Sequence, residues 1–129
     1  MKKVLALLLA VTMLIGLCGC GVSREDVIGT WEREVVYLES YGCDTTMYEV
    51  FLEDGSEVSI LVATHTGEIL KVDDGTWEIE GREVAARSSN HAGTTYFKYS
   101  GGKLKNGENV YTRSELPDQV LLDLLYYVS

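Results

Sequence analysis

The chain is short of several things. It has one proline, three cysteines, two histidines and 11 Lys and Arg residues against 20 Asp and Glu, for a net charge of −9 over 129 residues. Each shortage excludes something. So acidic a chain lacks the cations that nucleic-acid phosphates require. It also lacks the basic surface that draws a protein electrostatically onto an anionic bilayer. Cys18 and Cys20 stand as C-x-C, but no further Cys or His lies near to complete the three or four ligands of a zinc site. His65, in "ATHTGE", and His91, in "SSNHAG", are far apart, and each reads as a solvated loop residue. No P-loop, G-x-S-x-G or H-E-x-x-H occurs. "EDGSE" and "VDDG" gather carboxylates without the spaced ligands and terminal Glu of a calcium loop. These absences leave a non-enzymatic protein with no catalytic residues, no metal and no cofactor. The rarity of proline, beside 13 glycines, suits a chain of strands, because proline cannot donate to a ladder.

What is present begins at the N-terminus. Lys2 and Lys3 precede the apolar run Val4–Leu17, fourteen residues long. That is short of the roughly 20 needed to span a bilayer and fits the apolar region of a secretory signal. Leu17-Cys18-Gly19-Cys20 resembles the lipobox of bacterial lipoproteins. The resemblance implies removal of residues 1–19 and a diacylglycerol thioether on Cys20. It also implies a protein anchored by lipid, palmitate among the acyl chains, to a cell membrane and facing outside the cytoplasm. Several acyl chains give durable attachment where one does not. Residues 20–26 would form a tether of at most roughly 20 Å. The processed chain keeps 9 basic and 20 acidic residues, a net charge of −11, with Cys43 as its one unmodified thiol. No internal disulfide can then form. Cys43 is read as a small buried hydrophobe rather than a reactive group.

From Val27 onward the sequence reads as strands, near 28–38, 46–53, 57–64, 68–72, 76–80, 83–88, 94–100 and 103–113, the last breakable at Asn106-Gly107. Turn signals separate them at Asp54-Gly55, Thr66-Gly67, Asp74-Gly75, Glu80-Gly81 and Gly101-Gly102. Links this short make an up-and-down meander, and closure into a barrel removes its two open edges. The expected fold is therefore all-β, a barrel of about eight strands over 27–115. Period-two alternation sets Val58, Ile60 and Val62 on one side of their strand. It does the same for Trp77 with Ile79, and for Thr95, Phe97 and Tyr99. Between Tyr48 and Leu52 the pattern loosens, as for a strand covered on both faces. Tyr48, Trp77, Phe97 and Tyr99 are the candidate lining of a pocket for a small apolar or amphipathic ligand. Ser23-Arg24-Glu25-Asp26 has the Ser-x-x-acid spacing of a capped helical turn.

"EDVIGTWE", Glu25–Glu32, resembles the G-x-W opening of the first lipocalin strand, with Gly29 and Trp31 in the matching places. Arg113 in "VYTRSE" stands where that family has an Arg after the last strand. "DDGTWEIEGREVAARSS" followed by "YFKYSGGKL" is similar to later strands of small bacterial lipocalin-like lipoproteins. The resemblance implies that Trp31 plugs one end of the barrel and that Arg113 packs across it. Gly75-Thr76-Trp77 repeats the G-x-W spacing.

The C-terminal segment, 116–129, differs. Pro117 suits a first helical turn. Leu121, Leu124, Leu125 and Val128 share a helical face, although alternation also fits a strand. A helix lying on the barrel or over one mouth is the preferred reading. Two functions remain: a lipocalin-like lipoprotein that binds a small ligand, and an envelope adaptor that binds another protein through its acidic face or C-terminal segment.

Overall fold

The computed structural model describes residues 22–128. The signal segment and the lipobox with Cys20 lie outside the described residues. A short helix α1 (Arg24–Val27) leads into strands β1 (Gly29–Arg33), β2 (Val36–Leu38), β3 (Cys43–Phe51), β4 (Ser56–Ala63) and β5 (Ile69–Glu80). Strands β6 (Glu83–Ser88), β7 (Thr95–Ser100), β8 (Lys103–Asn106) and β9 (Asn109–Ser114) follow, and helix α2 (Asp118–Val128) ends the chain. Every neighbour pairs antiparallel, and β1 closes the sheet by pairing with both β3 and β9. β1 and β2 lie along the same side of β3 and act as one strand interrupted at Glu34 and Val35. The result is a closed eight-stranded antiparallel barrel with one C-terminal helix.

Two expected strands, 68–72 and 76–80, are a single strand, β5. Asp74-Gly75 is not a turn. Gly75 sits opposite Glu57 on one side and Ser88 on the other, and a Cβ there would collide with the Arg87 carbonyl. Its glycine answers a close backbone approach rather than a reversal of direction. The break at Asn106-Gly107 is real and separates β8 from β9. Gly101 and Gly102, with φ of +59° and +76°, make the primed two-residue turn that matches the twist of a hairpin.

Residues paired across a ladder share a face, so the register sorts the barrel into inside and outside. Trp31, Phe51, Trp77, Val84, Ala86, Phe97, Leu104 and Tyr111 pack together inside, with Val27 of α1 beneath them. A second core lies outside. Tyr48, Val50, Val58, Ile60 and Val62 on the outer face of β3 and β4 are buried under Leu116, Val120 and Leu124. The apolar side of β4 therefore faces the helix, and its inner side carries Glu57 and Ser59. β3 is covered on both faces, as its loose alternation predicts. Helix α2 lies along the barrel wall and not over a mouth. Its buried line is Val120 and Leu124 with Leu121 partly covered, while Leu125 is 45% exposed. The helix is thus rotated from the face expected of it.

The chain direction fixes two ends. Helix α1, the 52–55 loop and the turns at Gly81 and Gly101 lie at one end. The loops at 39–42, 64–68 and 89–94 lie at the other.

Candidate functional site

The α1 end is plugged. Ser23 caps α1 in a reciprocal box: its hydroxyl accepts from the Asp26 amide at 3.3 Å, and its own amide donates to Asp26 Oδ2 at 3.3 Å. That turn holds the Val27 carbonyl where Trp31 Nε1 donates to it at 2.8 Å. Arg113 lies with its guanidinium carbon 4.4 Å from the centre of the Trp31 ring and donates to the carbonyls of Asp26 and Ile28. Gly29 has φ +129°, and a Cβ there would strike the Arg113 guanidinium. The second G-x-W repeats this arrangement. Trp77 Nε1 donates to the Leu52 carbonyl at 2.8 Å, and Arg24 lies 4.4 Å over the Trp77 ring. Two tryptophans, each with its polar edge bonded and an arginine across its face, fill this end.

Above the plug the barrel is aromatic. Phe51 meets Trp77 edge-on at 5.5 Å and Phe97 at 5.8 Å, and Phe97 meets Tyr111 at 5.4 Å. Toward the other end the filling stops, leaving a cavity of about 170 Å³. Met47, Ala86 and Phe97 give it apolar walls, and Glu49, Glu57, Ser59 and Asp73 give it an acidic one. Ser88, His91 and Thr95 complete the lining, with His91 exposed at the open end.

The acidic wall is unusual for its burial. Glu49 and Glu57 are each only 6% exposed. Both carboxylates stand within bonding distance of one hydroxyl, Ser59 Oγ, at 2.7 and 2.9 Å. A hydroxyl has a single proton to donate. Burial pushes Glu49 well above the ordinary carboxylate range, and the neighbouring charge of Glu57 pushes it further. Burial raises Glu57 as well. Two adjacent buried carboxyls cannot both ionise cheaply, so the site favours a proton on one of them. Arg33, also buried, offsets part of the Glu49 charge and donates from Nη2 to Thr45 Oγ1 at 3.3 Å, while its Nε has no partner. Tyr111 is raised by burial and by Glu49. Asp73 differs: Lys71 lies at 3.4 Å, Asn90 donates to it at 3.2 Å, and His91 stands at 4.0 Å.

The sequence-derived pocket residues do not come together. Phe97 lines the cavity. Trp77 belongs to the plug. Tyr99 is half-buried, 6.4 Å from Trp31 in an edge-on contact. Tyr48 lies outside the barrel under α2. His91 reads from sequence as a loop residue only, yet it stands at the cavity mouth. His65 is an exposed loop residue bonded to Asp44 at 3.2 Å. Cys43 is half-buried at the start of β3. Glu49, Glu57 and Ser59 do not stand out in the sequence, because the apolar alternates beside them look like an interior face. One signal exists for Glu49, which shares its parity on β3 with Phe51; the face of Glu57 is fixed only by its pairing with Phe51 across the ladder.

No family model matches this chain, and no curated protein does. Its fold matches the crystal structure of a lipoprotein, YedD from Klebsiella pneumoniae, with a TM-score of 0.57. The match covers 90% of this chain and 91% of that one, at 9% sequence identity. Both are closed antiparallel barrels in outline. At such identity the likeness establishes architecture alone.

Proposed function

We propose that the chain is a lipoprotein of the cell envelope. It is held outside the cytoplasm by lipid on Cys20, and its barrel admits a small ligand to the cavity beside Phe97. The observation carrying the ligand reading is that cavity: one end of the barrel is sealed by two tryptophans, and the other keeps about 170 Å³ of space with a polar wall. Sites for drug-sized ligands run to about 300–1,000 Å³, and an apolar cavity of about 150 Å³ takes benzene, so the ligand is small. A long acyl chain does not fit. The protein acts by binding, without catalysis or a cofactor.

The anchor reading rests on the lipobox resemblance, and the lipoprotein of like fold supports it. The tether enters at the plugged end, so the mouth faces away from the bilayer. Cys20→Ala protein, with its signal still cleaved, is expected in the soluble fraction; membrane retention would refute the anchor. The ligand reading is tested by native mass spectrometry of protein purified gently from its own cells, together with thermal shifts against a library of small molecules. A bound adduct or a saturable shift supports it. Bare mass and no shift with any compound refute it.

One observation favours the adaptor reading. Among the described residues β2 pairs with β3 alone, and Tyr37 on it and Val35 just before it are 59% and 53% exposed. An edge of this kind can accept another chain's strand. A photocrosslinker at Tyr37 that captures one defined protein would support that role.

A further inference from the structure

We infer that the cavity selects a small organic cation, an alkylammonium group, held between the buried Glu49 and Glu57 carboxylates. This deepens the ligand reading above and rests on it. Glu49 and Glu57 are more than nine-tenths buried and line the cavity, yet the Ser59 hydroxyl between them supplies one proton to two carboxylates. When both are ionised, one is left without that donor inside the protein, a costly state. An ammonium brings the missing positive charge and up to three N–H donors.

The other charges around the pair fit this. Arg33 lies behind Glu49 and favours its ionised form, but it does not line the cavity. Tyr111 stays neutral beside them. Asp74 and Asp73 on β5 add negative charge toward Glu57. Lys71 and His91 are drawn to Asp73. Met47, Ala86 and Phe97 offer an apolar wall to the alkyl part, with an aromatic ring that also attracts a cation. Among the described residues no group of three or more His, Cys, Asp or Glu side chains could hold a metal ion. Binding balances simply: one ammonium enters, and one proton leaves the carboxyl pair for the buffer.

The test is calorimetric titration of delipidated wild-type protein with butylammonium, and with butan-1-ol and butyrate as neutral and anionic counterparts. Butylammonium is expected to bind at least about tenfold more tightly than either. Titration in two buffers of different ionisation enthalpy should give about one proton released per cation bound. Affinity should fall as pH is lowered from about 8 to 5, because the pair then holds its proton more firmly. The double variant Glu49→Gln/Glu57→Gln, checked for its native circular dichroism, should lose the preference for the cation. Butanol or butyrate binding as well as butylammonium would overturn the inference and leave the ligand reading standing. No binding by any of the three would overturn the inference; the ligand reading would then fall only if the adduct search and library were also negative.

Discussion

Gly29 is the residue on which the plug turns. Its φ of +129° lies where a side chain is strained, and Arg113 occupies the space a Cβ would need. Gly29→Ala is therefore expected to cost about 2–3 kcal/mol, read from the urea midpoint. The glycine and tryptophan of this motif are legible in the sequence; the reason for the glycine, a guanidinium delivered from the last strand, is not. Glu49 and Glu57 behave in the opposite way. Their folded-state pKa values lie above the ordinary value of 4.5. Their contribution to stability is therefore fully present below about pH 4.5 and is lost as pH rises through the folded-state values. Urea midpoints taken from pH 4.5 to 8 should fall with rising pH. Glu49→Gln, which needs no proton, should flatten that fall and leave the protein more stable than wild type at neutral pH.

Helix α2 gives the sharpest contrast between elements. Leu124 is 2% exposed against the outer face of β3 and β4, and its neighbour Leu125 is 45% exposed. Leu124→Ala should cost about 2–5 kcal/mol, and Leu125→Ala about 0.5 kcal/mol or less, both checked by chemical denaturation. Equal costs would mean the helix sits as its sequence alone suggests. A helical stripe has a width, and the row within it that reaches the barrel depends on how Leu116 and Pro117 turn the chain after β9. The same limit explains β5. Asp-Gly is a turn dipeptide in isolation, but here both flanking strands continue across it, and a glycine with no Cβ lets the β6 backbone come close. Local chemistry permitted both outcomes, and pairing with β4 and β6 chose the strand.

At the scale of the molecule the barrel has a sealed end near its N-terminus and an open end carrying His91. If Cys20 is the anchor, position 91 lies farther from the bilayer than position 82. In a Cys43→Ser background reconstituted in vesicles, a fluorophore at His91→Cys should be quenched less by labelled headgroups than one at Arg82→Cys. Equal quenching would argue against the orientation. The sequence by itself determined the all-β meander, its closure and the capped turn before β1, because these follow from turn chemistry, period-two alternation and short links; the pairing of Trp31 with Arg113 came only as what the resemblance to lipocalins implies. It did not determine which side of β3 and β4 faces inward. Alternation states that a strand has two unlike faces, and both faces of these strands found cover, one within the barrel and one beneath α2. Only the tertiary structure decided that the apolar face goes to the helix. That choice turns Glu49 and Glu57 into the barrel, where the loss of water makes their shared proton matter.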